Sequence, residues 1–402
     1  MNWKELVQKM HSLVIFRSIW QDEVFSAFAG MARAVWDGAE DAVDAYAAFV
    51  SALYQHGDNW SEYLLHYILC DENFYMLEKA EGKDVADVVE QAMANELDIF
   101  SELCAVTSEQ VKRDIRYAGF LPQWNTTPMH VASIYKDRLQ NLEVHGYGIF
   151  ARYKAFVLQG EEIVPIQSPD EIRLSQMSGY EAQRAQVIDN TRALLQGGPA
   201  SNVLLYGDAG TGKSSTVKAV VNEFADRGLR MIELKKNQLF ELPMLLDRLS
   251  KNPLKFIVFV DDLSFEKDDG DFAALKAILE GSASGRPKNL AVYATSNRRH
   301  LVKETASARA GDEIHLSDTI QEQMSLSDRF GLTITFLRPE KDVYLEIVQH
   351  LAAQYGVNMP KEELLQKAEA HALRRNGRSP RTARQFIELC AAKQGLPKTE
   401  KR

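Results

Sequence analysis

Apolar residues in the first 145 positions recur at spacings of three and four, which predicts amphipathic α-helices. The clearest helical segments are Trp20–Trp36, Glu40–Tyr54, Trp60–Ile68 and Val85–Leu103. All five tryptophans of the chain lie in this part. Because aromatic side chains dominate core burial, they indicate a helical-bundle core, with a ligand or partner groove as the alternative. We therefore predict an N-terminal all-α domain over residues 1–150.

The pattern becomes extended after residue 150. Tyr153–Gln159 and Ile163–Gln167 flank Gly160-Glu161-Glu162, which indicates a short hairpin or an extended connector. Ser168-Pro169-Asp170 then predicts a turn. We assign residues 151–175 to a connector between two domains.

Strand and helix patterns alternate from about residue 200. The predicted strands are Val203–Tyr206, Leu229–Leu234, Phe256–Val260, Leu290–Thr295 and Leu332–Phe336. The predicted helices between them are Lys213–Ala225, Leu242–Leu249 and Phe272–Glu280. Such alternation predicts an α/β fold with a parallel sheet and helices on both faces, here over residues 176–338. Residues 339–402 return to a helical pattern and are predicted to form a lid.

Charge and cysteine content limit which partners and which kinds of site we expect. The net charge of −9 is uneven, because residues 1–150 hold 11 Lys and Arg against 23 Asp and Glu. An acidic N-terminal half does not favour nucleic acid as a partner. Cys70, Cys104 and Cys390 lack the spacing of a metal site or a disulfide framework and are expected to be buried thiols. Without a signal peptide or a run of 18 apolar residues, we expect a cytoplasmic protein with no membrane contact.

A glycine-rich loop follows the first strand of the α/β region. In a P-loop, glycines let backbone N–H groups approach phosphates, the lysine reaches the β- and γ-phosphates and the hydroxyl residue binds Mg²⁺. We expect this loop to bind ATP. The expected binding residues are Gly207, Asp208, Ala209, Gly210, Thr211, Gly212, Lys213, Ser214 and Ser215.

A pair of carboxylates ends the most apolar strand. Asp261 and Asp262 follow Phe256–Val260 directly, and such a pair is costly to bury without a cation. In P-loop proteins the first acid holds the Mg²⁺ shell, so we expect Asp261 and Ser214 to bind the metal. Asp262 is expected to orient or deprotonate the attacking water. Helix capping is the alternative role for either acid.

Residues 175–395 resemble an AAA+ ATPase core. The strand ending in Ser296-Asn297 is similar to the sensor 1 element, which implies that Asn297 holds the attacking water. Leu326–Gly331 resembles the arginine-finger motif, which implies that Arg329 reaches the nucleotide of a neighbouring subunit. Gly377–Ala383 resembles the start of the sensor 2 helix, which implies that Arg381 contacts the phosphates.

The chain departs from the AAA+ pattern at two places. The family usually has Asp-Glu where this chain has Asp261-Asp262, with Glu266 as a candidate substitute. Arg378 and Arg384 flank Arg381, so the sensor 2 assignment can shift by one turn. The same motifs resemble a bacterial family of P-loop ATP-binding proteins known only as a domain of unknown function. That resemblance implies an AAA+ core and an N-terminal helical region, and no substrate.

Three functions are compatible with these motifs. The first is an oligomeric ATPase that couples Mg-ATP hydrolysis to conformational change on an unknown protein partner, bound by the N-terminal domain. The second is a slowly hydrolysing switch or scaffold, and the third is a DNA-associated loader. Arg298-Arg299-His300 is either a nucleic-acid contact or a solvated loop, and His315 is interpreted as a surface or capping residue.

Overall fold

The computed structural model describes residues 1–263, 265–266, 287–297, 302–303, 329–375 and 377–396. The chain forms two compact units, Met1–Arg152 and Tyr153–Arg402. Among the described residues, no helix combines the length and the apolar character needed to cross a membrane.

The first unit is helical throughout its described elements. Its helices are α1 (Trp3–His11), α2 (Glu23–Asp37), α3 (Ala42–Tyr54), α4 (Trp60–Cys70), α5 (Phe74–Ala80), α6 (Asp87–Cys104), α7 (Ser108–Ile115), α8 (Val131–Gln140), α9 (Leu142–His145) and α10 (Ile149–Arg152). Trp3, Trp60 and Trp124 lie in one apolar core, whereas Trp36 is exposed. Most of the tryptophan signal therefore reflects core packing.

A buried carboxylate organises the turn after α1. Glu96, on α6, is 2% exposed and accepts hydrogen bonds from the backbone N–H groups of Val14, Ile15 and Phe16 at 2.7–3.2 Å. These donors lie outside any helix or strand, and those of Ile15 and Phe16 belong to buried residues, which need a hydrogen-bond partner within the protein. The Glu96 side chain supplies it and joins two distant parts of the unit.

The second unit is built on a seven-stranded sheet. Its strands are β1 (Ala155–Gln159), β2 (Glu162–Pro165), β3 (Val203–Gly207), β4 (Leu229–Leu234), β5 (Lys255–Val260), β7 (Leu290–Ser296) and β9 (Leu332–Phe336), in the order β2-β1-β4-β5-β7-β3-β9. All neighbours are parallel except β1 and β2. Two short strands, β6 (Phe265–Glu266) and β8 (Val302–Lys303), form a separate parallel pair.

Both faces of the sheet are buried, as expected for parallel strands with apolar runs. On one face, alternate strand residues pack with α11 (Glu181–Leu195) and α12 (Lys213–Phe224) in a single core. Helix α13 (Leu242–Ser250) buries Leu242, Leu245 and Leu249 beside β7. The residues of the predicted helix Phe272–Glu280 lie outside the described ranges.

The hairpin after residue 150 belongs to the sheet. Phe156 of β1 pairs with Ile232 of β4 in parallel register, and β2 adds an antiparallel edge strand. The sequence pattern of residues 151–175 predicts only local pairing between two short extended segments, which is why it indicates a connector. The parallel pairing of β1 with β4, more than 70 residues later, has no local sequence signature.

Three helices form the C-terminal part, α14 (Lys341–Gln354), α15 (Lys361–Arg374) and α16 (Pro380–Lys393). They share an apolar core of their own. The predicted α/β class, with an N-terminal helical region and a C-terminal helical lid, is confirmed. Cys70, Cys104 and Cys390 are buried free thiols.

Candidate nucleotide-binding site

The loop between β3 and α12 requires glycine at three positions. Gly207, Gly210 and Gly212 have φ values of 133°, 78° and 93°, which residues with a Cβ rarely adopt. A Cβ on Gly207 would also lie 2.2 Å from the Phe336 carbonyl oxygen. The loop therefore has the backbone that a phosphate cradle needs. It leads directly into the N-terminus of α12, and helix N-termini favour anions.

Lys213 folds back over this loop. Its Nζ donates to the carbonyl oxygens of Gly207 at 3.1 Å and Asp208 at 2.7 Å, and to Asn297 Oδ1 at 2.9 Å. The residue is 5% exposed. Burial lowers the pKa of the Lys213 ammonium, while the carboxylates of Asp208, Asp262 and Asp261 oppose that shift. Lys213 is thus a desolvated cation held by oxygen atoms in the cradle.

Asp261 joins three elements at the end of β5. Its Oδ1 accepts from Ser214 Oγ at 2.6 Å, from Thr295 Oγ1 at 2.5 Å and from the Asp262 N–H at 3.1 Å. These donors come from α12, β7 and the turn after β5. Strands β3, β7 and β5 are neighbours in the sheet, so their carboxyl ends bring the three groups together.

Asn297 links the lysine to the second acid. Its Oδ1 accepts from Lys213, and its Nδ2 donates to Asp262 Oδ1 at 2.7 Å. Both Asn297 and Asp262 are exposed. This orientation of the Asn297 amide suits both partners, because the Lys213 ammonium donates to its oxygen and the Asp262 carboxylate accepts from its nitrogen.

The lid approaches the loop through the start of α16. The N–H of Arg381 donates to the Gly210 carbonyl at 3.2 Å, and Ser379 caps the helix by accepting from the Thr382 N–H at 3.1 Å. Arg381 and Arg384 both line the cavity described below. The guanidinium of Arg378 instead forms hydrogen bonds with the Glu369 carboxylate inside the lid.

Asp208 directs its side chain to the junction of sheet and lid. Its Oδ2 accepts from the Arg338 N–H at 2.8 Å, and its own N–H donates to the Phe336 carbonyl at 2.9 Å. Tyr180 donates from its hydroxyl to the neighbouring Leu337 carbonyl at 2.7 Å. The carboxylate of Asp208 thus serves the segment after β9, while its carbonyl serves Lys213.

These groups surround one cavity of about 510 Å³. Its walls come from the loop and α12, the ends of β5 and β7, the segment before α11, and the lid. The lining residues are Ile172, Gln176, Met177, Ser178, Tyr180, Arg184, Ala209, Gly210, Thr211, Gly212, Lys213, Ser214, Ser215, Thr216, Asp261, Asp262, Thr295, Asn297, Phe336, Ile347, Leu351, Pro380, Arg381 and Arg384.

Most predicted site residues meet in this cavity, with three exceptions. Gly207 and Asp208 contact Lys213 through their carbonyl groups and do not line the cavity wall. Arg329 does not line it either, since it precedes β9 at the end opposite the loop. Sequence reasoning missed Thr295, whose only signal was a hydroxyl two residues before Asn297.

Several predicted features lie outside the described residues. They are Arg298, Arg299, His300, His315 and Leu326–Asp328 of the arginine-finger motif. The backbone of Glu266 is described in β6, and its side chain is not. The proposed substitution of Glu266 for Asp262 therefore stays a prediction.

The residues at the loop fit a nucleotide with Mg²⁺. Hydroxyl and carboxylate oxygens are hard ligands, and Mg²⁺ commonly binds one or two protein oxygens together with phosphates. Ser214 Oγ and Asp261 Oδ1 already lie 2.6 Å apart. All hydrogen bonds that described residues make to Asp261 end on Oδ1, so Oδ2 has no donor in the described part of the chain.

The P-loop strand β3 lies between β7 and β9, strand β5, which is followed by Asp261 and Asp262, lies beyond β7, and a helical lid follows β9. This arrangement defines a P-loop protein of the AAA+ class. Residues 151–394 match the model of the family described as protein of unknown function (DUF815), and the chain belongs to that family. No curated protein matches the sequence.

Solved structures of one bacterial motor show a distant likeness. The Thermotoga maritima RuvB Holliday junction branch migration motor is 15% identical with a TM-score of 0.38, over 57% of this chain and 68% of that one. A single-residue variant of the same RuvB is 15% identical with a TM-score of 0.37, over 55% of this chain and 64% of that one. Because these TM-scores are low, the assignment to the AAA+ class rests on the strand order of the sheet and on the glycine-rich loop.

Proposed function

We propose that the protein binds ATP with Mg²⁺ in this cavity and hydrolyses it. The observation that carries the proposal is the hydrogen-bonded chain from Lys213 through Asn297 to Asp262, which sits beside the Ser214–Asp261 pair. One cation for phosphate, one carboxylate for water and one oxygen pair for a metal therefore share a single cavity.

Each group would have a distinct part. The loop amides and Lys213 would bind the phosphates, since buried charges interact strongly where water is excluded. Asp262 would accept the proton of the attacking water, and Asn297 would orient that water. Arg381 would contact the phosphates from the lid. Its backbone N–H donates to the Gly210 carbonyl, which holds the residue next to the loop.

Ser214 and Asp261 would hold Mg²⁺. When bound, Mg²⁺ supplies positive charge that offsets the charge of the phosphates. The protein's own part is to keep the two oxygens adjacent, which Thr295 assists by donating to Asp261 at 2.5 Å.

The purpose of turnover would be movement of the lid. Phosphates bound in the loop would lie close to the N-terminus of α16, because the Gly210 carbonyl accepts from the Arg381 N–H at 3.2 Å and a Cβ on Gly210 would lie 3.3 Å from Ser379 Oγ. Changes at the γ-phosphate could thereby shift residues 339–402 relative to the sheet. The helical unit, residues 1–150, would carry the bound protein partner.

The test compares Lys213→Ala with Asp262→Asn. We expect the first to weaken ATP binding by a factor of about 10 or more, since it removes the phosphate cation. We expect the second to keep affinity within a few fold and to lower kcat by about 10²–10⁴, the usual contribution of general-base catalysis. Equilibrium binding of a fluorescent ATP analogue and steady-state phosphate release measure the two effects.

Asp262 also supports a second candidate function, a nucleotide-dependent switch that hydrolyses ATP slowly. Its side chain is one methylene shorter than the glutamate usual in AAA+ proteins, which favours low turnover. The wild-type rate of phosphate release decides between the two. Turnover that Asp262→Asn does not lower would contradict both the catalytic role and this explanation.

A further inference from the structure

The backbone at Asp262 is unusual. Its φ is +52°, one of three positive values among described residues other than glycine. Left-handed backbone disfavours a Cβ, and Asp and Asn are among the residues that adopt it most often. The direction of the Asp262 carboxylate therefore depends on whatever holds this conformation.

Thr295 holds it by three contacts. Its Oγ1 accepts from the Asp262 N–H at 2.9 Å and donates to Asp261 Oδ1 at 2.5 Å. Its carbonyl accepts from the Leu263 N–H at 2.7 Å. Thr295 is 2% exposed and lies on β7, which has a neighbouring strand on each side, so it is a rigid support for the turn.

The side chain of Asp262 is fixed from the same strand. Asn297 follows Thr295 by two residues and donates to Asp262 Oδ1 at 2.7 Å. The end of β7 thus sets both the backbone and the carboxylate of Asp262. The same groups also contact the P-loop, because Asn297 Oδ1 accepts from Lys213 and Asp261 Oδ1 accepts from Ser214.

We propose that Thr295 is a positioning residue for ATP hydrolysis, because its hydroxyl maintains the left-handed turn that aims the Asp262 carboxylate. This inference rests on the proposed hydrolysis at the same site. It also explains the short acid, since aspartate tolerates left-handed backbone better than glutamate does. The left-handed turn therefore favours aspartate over glutamate at position 262, and we call the turn and this aspartate the matched pair.

The main test replaces Thr295 by valine, which keeps the shape and removes the hydroxyl. We expect kcat to fall by about 10- to 100-fold, because a displacement of about 1 Å can cost about 10² in rate. KM and the affinity for ATP should stay within about threefold. Thr295→Ser keeps the hydroxyl and should retain kcat within about threefold of wild type.

A Mg²⁺ titration separates the two partners of Thr295. If the hydroxyl acts through Asp262, the Mg²⁺ concentration for half-maximal rate is unchanged in Thr295→Val, and excess Mg²⁺ does not restore kcat. Recovery of kcat at high Mg²⁺ would assign the effect to Asp261 and overturn the inference. Equal kcat in Thr295→Val and wild type would overturn it as well.

Asp262→Glu gives a test that does not alter the core, because residue 262 is exposed. We expect this variant to lower kcat, although glutamate is usual in AAA+ proteins. A rate equal to or above wild type would contradict the matched pair, even if Thr295→Val failed to fold.

The same assay distinguishes failure of the inference from failure of the proposed function. Wild-type phosphate release that Lys213→Ala abolishes, together with an active Thr295→Val, refutes the inference alone. Absence of Lys213-dependent phosphate release in wild type refutes the proposed function, and the inference with it.

Discussion

Lys213 illustrates how much of the candidate site is set by single residues. A lysine at 5% exposure would be unfavourable without partners, and three oxygen acceptors surround its ammonium. The pKa of this ammonium lies below its usual 10.5 because burial outweighs the nearby carboxylates. Its charge is thus more sensitive to alkaline pH than that of a surface lysine.

This lowered pKa predicts how ATP affinity depends on pH. As pH rises through a value below 10.5, Lys213 loses its proton and affinity should fall, because the neutral amine attracts phosphate weakly. Isothermal titration with ATP between pH 7 and 10.5 measures the change.

Lys213→Arg is the control for that titration, since arginine stays protonated over the whole range. Its affinity should be lower overall but flat with pH. A flat profile for the wild type would show that the Lys213 ammonium does not titrate in this range.

Helix α6 shows the same dependence on partners at the scale of an element. Glu96 and Glu102 lie on this helix and face opposite environments. Glu96 is 2% exposed and binds three backbone N–H groups, whereas the Glu102 side chain is 50% exposed and pairs with Lys9 at 2.8 Å. The two glutamates should therefore differ greatly in their effect on stability.

Glu96→Gln should lower the free energy of unfolding by about 2–3 kcal/mol, because the amide nitrogen would replace one of the two oxygens that accept from the N–H groups of buried Ile15 and Phe16. Chemical denaturation followed by tryptophan fluorescence suits the measurement, since all five tryptophans lie in this unit. Glu102→Gln is the matched control and should change stability far less, since exposed ion pairs are weak. Similar losses in both variants would count against the buried-acceptor explanation.

Helix α16 shows what the sequence could not decide at this scale. Arg378, Arg381 and Arg384 were all candidates for a phosphate contact. Arg381 and Arg384 are one turn apart on α16 and share the cavity, while Arg378 precedes the helix and binds Glu369. The ion pair depends on α15, nine residues earlier, so the choice needed the packed lid.

At the scale of the whole molecule, the direction of β9 bears on the proposal that Arg329 acts between subunits. Leu332 pairs with Val203 and Phe336 with Gly207, so Arg329 lies at the opposite end of the strand from the loop. At about 3.3 Å per residue, five residues span roughly 16 Å. Arg329 is therefore far from the loop of its own chain. This distance supports the proposal that Arg329 would contact a nucleotide bound by a neighbouring subunit.

A mixing experiment tests this proposal. Arg329→Ala should lower turnover by a factor of about 10³ or more, the scale of known arginine fingers. Lys213→Ala should be inactive for another reason, the loss of the cation that binds phosphate, and it keeps Arg329. Mixed oligomers of the two variants should regain phosphate release, and each variant alone should stay inactive at any concentration.

The control is a mixture of Arg329→Ala with a Lys213→Ala, Arg329→Ala double variant, which keeps Lys213 in one partner but has no Arg329 and should stay inactive. If Arg329→Ala keeps wild-type turnover at high dilution, Arg329 does not act between subunits.

The sequence by itself determined the elements and the loop. Apolar periodicity marked the N-terminal helices and the strands β3, β4, β5, β7 and β9, because periodicity is a local property of the chain. Glycine spacing marked the phosphate cradle, because φ values above zero are also a local demand. Asp261 and Asp262 were recognisable because they end an apolar strand.

Only the tertiary structure decided which groups meet. Lys213 and Asn297 are 84 residues apart, and Thr295 and Asp262 are 33 apart. The sheet order sets these pairs, and it also brought the β1–β2 hairpin to β4. Pairing between distant strands depends on the energy of the whole packed sheet, which no local pattern encodes.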